Sequence, residues 1–243
     1  MPDTRILHWN IHSWRDDAGA PNHGAVAALI EQTDPQIVSL VEVDEPWGGP
    51  SALGELAGRL GFACVFPPTV HYGDDAGPRG GYGNALLVKA PIQAVQQWQL
   101  RWPPRLYDGS ESSEARTVLL VRLDLGGTGL WVGSTHLPRR SATARAAALD
   151  RLLTLARGLD APWLVCGDFN TPATSWVPED GSVRVRPGTP QPSYPASAPA
   201  EPIDYLVASP SLTVRAELLG RAGSDHLPLL GTVDLPDRAQ RLS

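Results

Sequence analysis

Lysine is nearly missing from this chain: Lys89 stands alone against 19 arginines in 243 residues. That scarcity argues against Schiff-base chemistry, and the lack of a GxxxxGK[ST] loop argues against a P-loop nucleotide site. Cysteine is scarce too, with only Cys64 and Cys166. Each lies in an apolar run without a CxxC or CxxH neighbour, which argues against zinc and leaves two buried free thiols as the expectation. No stretch approaches the roughly 20 apolar residues that cross a bilayer. The N-terminus, MPDTRILHWNI, runs straight into a strand-like segment and lacks the basic-then-apolar pattern of a secretion signal. A cytoplasmic location without membrane association is therefore expected. Positive charge is short as well: the formal net charge is −6, whereas a protein gripping DNA through many phosphates carries a basic face. No internal repeat is found, and residues 1–243 read as one large domain.

What the chain does have is turns, with 24 glycines and 24 prolines, and short apolar runs that end in polar groups. The clearest is WLVCGDFN, Trp163 to Asn170. Four apolar residues suited to a strand buried on both faces stop at a glycine, an aspartate and an asparagine. Taken singly, such an end is a solvated turn. The same device recurs at Asn10, Glu42, His136, Asp204 and Asp225-His226.

In TRILHWNI, residues 4–11, alternation predicts a first strand with His8, Asn10 and His12 on one side and Trp9 and Ile11 on the other. A short helix follows over 25–33, ended by Asp34-Pro35. QIVSLVEV, residues 36–43, is a second buried strand. In it Glu42 is either a solvated end or a carboxylate that must be paired, protonated or metal-bound. Residues 51–60 have helical spacing with Gly61 as the stop, and 62–66 return as a strand. HYGDDAGPRGG, 71–81, reads as a mobile loop with solvated Asp74, Asp75 and Arg79, and 82–88 as a strand. Lys89 reads as a solvated charge, and Asn84 as satisfying local backbone. Segments 115–125 and 130–137 form a hairpin around GGTG. The helix over 141–158 is capped by Ser141, with Ala144, Ala147, Ala148, Leu152 and Leu155 on its apolar face. Residues 171–202 read as a long surface loop, and strands over 203–208, 213–219 and 227–233 complete the pattern.

The series HWNI, SLVEV, GYGNALLV, EAR, STHL, CGDFN, IDYLV and GSDHLPLL, in that order, resembles the endonuclease/exonuclease/phosphatase superfamily of Mg²⁺-dependent phosphoesterases with the DNase I-like fold. The resemblance spans Asn10 to His226. It implies an α+β (α/β) fold, a four-layer αββα sandwich of two mixed β-sheets flanked by helices. The strand-rich reading independently favours a sandwich over a single doubly wound sheet. The resemblance further implies a site for Mg²⁺ or Mn²⁺ made by Asn10, Glu42 and Asp225, since hard oxygen donors suit such ions. Arg116 would bind the substrate phosphate. His136 would donate to a phosphate oxygen, Asn170 would hydrogen-bond the phosphate, and Asp168 would orient or deprotonate the attacking water. Asp204 would hold the ring N–H of His226, which acts as acid or base. Whether Asp168 or His226 takes the proton stays open. Pro202 stands where many relatives have arginine before IDY, and Ala148 where many have glutamine. His12, two residues past Asn10, has a supporting or purely structural part.

The leading expectation is hydrolysis of a phosphate mono- or diester, with a small-molecule substrate favoured and no protein partner. A DNA or RNA nuclease is the first alternative: Arg101, Arg105, Arg139 and Arg140 could form a local positive rim, and Trp98, Trp102 and Tyr107 could stack on bases. A retired scaffold that binds without catalysis is the second.

Overall fold

The computed structural model describes residues 3–74, 77–103 and 107–235. In chain order they form β1 (Thr4–Asn10), α1 (His23–Thr33), β2 (Ile37–Pro46), α2 (Ala52–Leu60), β3 (Ala63–Val65), β4 (Val70–Asp74) and β5 (Gly77–Val88). Next come β6 (Ile92–Arg101), β7 (Arg116–Asp124), β8 (Gly129–His136), α3 (Ala142–Arg157) and β9 (Trp163–Asp168). The series closes with β10 (Arg184–Arg186), β11 (Asp204–Ala208), β12 (Thr213–Leu218) and β13 (Leu229–Asp234).

The strands make two mixed sheets. One has the order β12-β13-β1-β2-β5-β3, with β4 also paired to β5, and the other runs β10-β11-β9-β8-β7-β6. Aliphatic side chains of both, among them Ile6, Ile37, Leu119, Leu164 and Leu206, pack into one core between the sheets. The first sheet buries its other face against α1 and α2 through Trp9, Leu40, Ile30 and Leu53. The second does so against α3 through Trp131, Val165, Leu149 and Leu152. Helix, sheet, sheet and helix thus form four layers, because each sheet here has two apolar faces to cover.

Two crossovers decide where polar strand ends gather. β1 and β2 run parallel, joined through α1, and β8 and β9 run parallel, joined through α3. Parallel neighbours finish at the same edge, so Asn10 lies beside Val41 and His136 beside Asp168. β11 is antiparallel to β9 and starts at that edge, with Asp204 opposite Asp168. β13 is antiparallel to β1 and places Leu229 opposite His8, so the preceding Asp225-His226 turn falls there too.

The helix signals are physically realised. Ser51 and Ser141 each accept a bond from the third backbone N–H ahead, that of Gly54 and of Ala144. Gly61 closes α2 with a φ of 72°. The face of α3 differs from expectation: Ala148, Leu149, Leu152, Leu153 and Ala156 are buried and Ala147 is exposed.

Other expectations need correcting. Residues 71–74 and 77–81 belong to the paired strands β4 and β5 rather than a loop, and Asp75 and Ala76 lie outside the described residues. Glycine there admits a close neighbour: a Cβ on Gly80 would come within 2.3 Å of the Tyr72 ring. Residues 92–101 form the edge strand β6, whose glutamines interrupt any apolar pattern. Within 171–202 the edge strand β10 breaks up the irregular chain. Cys64 is exposed rather than buried, Cys166 is buried, and both are free. Lys89 pairs with Asp34 at 2.8 Å, and Asn84 donates to the distant carbonyls of Thr117 and Ser134 rather than to local backbone. No helix among the described residues is long and apolar enough to cross a membrane.

Candidate active site

Glu42 sits where the β2–β5 register slips between Leu40 and Val43, and its own φ is 59°. This bulge breaks the alternation that would otherwise bury the carboxylate in the sheet, and re-aims it to the strand-end edge. There Oε1 accepts a hydrogen bond from Asn10 Nδ2 at 3.0 Å. The same amide donates to Asp168 Oδ2 at 3.2 Å, while Asn10 Oδ1 accepts from the backbone of His12. Asn10 therefore turns its amide hydrogens, not its carbonyl, toward the acids.

Asp168 ends β9 and is 2% exposed. Its Oδ1 accepts from the backbone N–H of Asn170, and its Oδ2 faces Nε2 of His136 at 3.5 Å and Nε2 of His226 at 3.6 Å. Burial, reinforced by the neighbouring Asp204 charge, pushes the Asp168 carboxyl up to about 7. Burial also works against charge on Asp204. There, however, His226 Nδ1 at 2.8 Å and His8 Nε2 at 3.3 Å hold the carboxyl well below the usual range. Burial opposes the charge on His226 too, yet Asp204 and then Asp168 raise the imidazole to about 10. His136 goes the other way, pushed well below its ordinary value by burial and then by the Arg116 guanidinium. Its Nδ1 is buried without a hydrogen-bond partner among the described residues, 3.9 Å from Glu42 Oε1.

Arg116, at the start of β7, is buried and donates to Glu114 at 2.8 Å. Burial raises Glu114 to about 7 against the pull of Arg116. Asn170, with a φ of 51°, donates its side-chain N–H to the Leu137 carbonyl. Asp225 stays partly exposed, with His12 Nδ1 3.8 Å away. His12 itself lies in a short turn with positive φ, so strand alternation does not carry it beside Asn10. Glu42, Arg116, His136, Asp168, Asn170, Asp225 and His226 line one hollow of about 150 Å³, with Asn10 and Asp204 bonded behind its wall. A depression of about 230 Å³ between α1 and α2 gathers only His23, Glu55 and Arg59 as titratable groups.

Asp168, Asp204 and His226 offer ligand atoms within 4.8 Å of one another. Asp204 is poorly free for an ion, because Ser193 Oγ donates to its Oδ2 at 2.6 Å while both histidines face it. Glu42, Asp168 and Asp225 line the hollow with carboxylates, a hard donor set that fits Mg²⁺ or Mn²⁺.

The arginine rim is only partly realised among the described residues. Arg101 donates to the Glu111 and Ser112 carbonyls, and Arg140 lies 3.6 Å from Glu111. Arg139 lines the hollow and lies 4.6 Å above the Tyr194 ring, whose centroid is 4.8 Å from that of His226. Arg105 lies outside the described residues. Trp98 belongs to β6 and packs on the α3 side, Tyr107 is half-buried, and Trp102 is 78% exposed. The sequence patterns assign no site role to His8, Ser193, Tyr194 or Glu114. Alternation does place His8 beside Asn10, whereas nothing in the irregular 171–202 stretch marks Ser193 or Tyr194.

A family model described as Endonuclease/Exonuclease/phosphatase family matches residues 7–226. Nocturnin of Xenopus laevis is 23% identical over 198 residues, covering 71% of this chain and 49% of its own length. The chain thus spans about half the length of that curated relative. Among solved structures, the human Nocturnin catalytic domain with bound sulfate aligns at a TM-score of 0.71 and 21% identity, over 97% of this chain and 94% of that one. The mannosyl-6-phosphatase of Bacteroides thetaiotaomicron aligns at 0.72 and 15% identity, over 96% and 100%. These two likenesses show the fold.

Proposed function

The chain belongs to the Endonuclease/Exonuclease/phosphatase family, and we propose that it is a divalent-metal-dependent phosphoesterase acting on a small phosphate ester. The observation that carries this reading is the convergence of acids, amides and imidazoles from β1, β2, β8, β9, β11 and the turn before β13 on one small hollow.

Glu42 and Asp225, with Asn10 beside them, would hold Mg²⁺ or Mn²⁺, which when bound polarises a phosphoryl oxygen and offsets charge on the leaving group. Arg116 and His136 would bind the phosphate oxygens from the β7–β8 side, and Asn170 from the β9 side. Asp168, raised to about 7, is basic enough near neutrality to take the proton of an attacking water. His226, clamped by Asp204 through Nδ1, would be protonated and offer its Nε2–H to the reacting phosphate. This division of labour favours Asp168 over His226 as the base.

Several features favour a small ester over a polymer. The net charge is −6, the hollow is small, and Arg101 spends its guanidinium on protein carbonyls. The likeness to a mannosyl-6-phosphatase supports a phosphomonoester. Exposed Trp102 is the feature that favours the nuclease reading. The test is turnover with Mg²⁺ or Mn²⁺ on a panel of phosphomonoesters and small diesters, beside plasmid and oligonucleotide. Turnover of the panel is expected; cleavage of polymer alone would reverse the ranking, and no turnover of either would remove the enzyme reading.

A further inference from the structure

Two histidines share Asp204. Its Oδ2 accepts from Ser193 at 2.6 Å and faces His226 Nδ1 at 2.8 Å, while Oδ1 faces His8 Nε2 at 3.3 Å. His8 is fully buried in β1 and does not line the hollow. Behind it, Nδ1 lies 3.1 Å from Ser39 Oγ on β2, and Ser39 donates to Ser134 on β8 at 2.9 Å. A polar line therefore runs from the site into the seam between the sheets, where Asn84 also donates to the Ser134 carbonyl.

Such a line can do one of two things. As a staple between the sheets, it needs His8 chiefly for the Ser39 contact. As part of the site, it needs the Asp204 contact. Among the described residues, His8 is the hydrogen-bond partner of Asp204 Oδ1, and a carboxylate held only through Oδ2 is free to turn about its Cβ–Cγ bond. With solvent excluded, an unpaired Oδ1 would seek the donors that now serve Oδ2, and the direction presented to His226 would change.

We propose that His8 is a positioning residue: by holding Oδ1 it fixes the carboxylate plane of Asp204, and so the aim of the His226 ring into the hollow. The kinetic consequence rests on the phosphoesterase reading; the geometric one does not.

Two amide variants separate the roles. In His8→Gln the side-chain N–H reaches the place of Nε2 and keeps the Asp204 contact. In His8→Asn it reaches only the place of Nδ1 and keeps the Ser39 contact. The first readout is the low-field proton NMR resonance of His226 Nδ1–H, assigned by nitrogen labelling in the full chain; the second is kcat and KM. His8→Gln is expected to keep the resonance and most of kcat. His8→Asn should shift or broaden the resonance and lower kcat by about ten- to a hundredfold, with KM within about twofold. Loss confined to His8→Gln, equal behaviour of the two variants, or failure of both to fold would overturn the proposal in favour of a staple. If the wild-type chain hydrolyses no ester, the phosphoesterase reading fails while the resonance still decides the role of His8.

Discussion

Asp168 and His226 face each other at 3.6 Å, and each holds its proton more tightly than the isolated group would, the acid through burial and the imidazole through its carboxylate neighbours. As the proposed base, Asp168 must be ionised to accept a proton, so with its carboxyl near 7 the value of kcat/KM is expected to fall as pH drops through that region. His226 must be protonated to donate, so activity falls again as pH rises through about 10. A bell-shaped pH profile of kcat/KM is the expected outcome, and a flat acid limb would remove Asp168 as the base. Substitution separates the neighbouring roles. His226→Ala should lower kcat by about a hundredfold or more while leaving Mn²⁺ affinity by calorimetry within a few fold. Glu42→Ala should instead weaken Mn²⁺ binding by about tenfold or more. Unchanged turnover in either variant would exclude that residue from the site.

At the scale of elements, the close approach of β8 and β9 delivers His136 and Asp168 side by side. Gly167 makes that approach feasible: a Cβ there would stand 2.6 Å from the backbone carbonyl oxygen of Thr135 and 2.7 Å from its side chain. Backbone cannot give way as a side-chain tip can. Gly167→Ala should therefore cost about 1–3 kcal/mol in denaturant unfolding and displace Asp168 enough to reduce turnover. A variant with wild-type stability and activity would mean that the strand pair relaxes freely. The β2 bulge works differently, since it changes the direction of Glu42 rather than the spacing of strands.

Across the whole molecule, two sheets from distant parts of the chain bring several carboxylates to one edge, where burial and mutual repulsion oppose their ionisation. A cation bound there would stabilise the native state by mass action. Mg²⁺ or Mn²⁺ added to chelator-treated protein should raise the thermal midpoint, with about 2.7 kcal/mol gained at a hundredfold excess over Kd. No shift with either ion would contradict a metal site at this edge.

Much of this edge is legible in the amino-acid order. Apolar runs that stop at Asn10, Glu42, His136 and Asp168 mark strand ends, because buried strands need continuous hydrophobic residues and polar groups need an exit. Cap residues Ser51 and Ser141 mark helix starts for equally local reasons. Other features depend on contacts far along the chain. The glycine-rich first half of β5, residues 77–81, has no apolar signal, and β6 is an edge strand that leaves Ile92 and Val95 exposed. His8 meets Asp204 only after β1 and β11, from different sheets, have packed together. Sequence by itself determined which strand ends carry polar groups, because hydrophobic periodicity is local; only the tertiary structure decided which of those groups face one another or share a carboxylate, because those distances are set by packing between sheets.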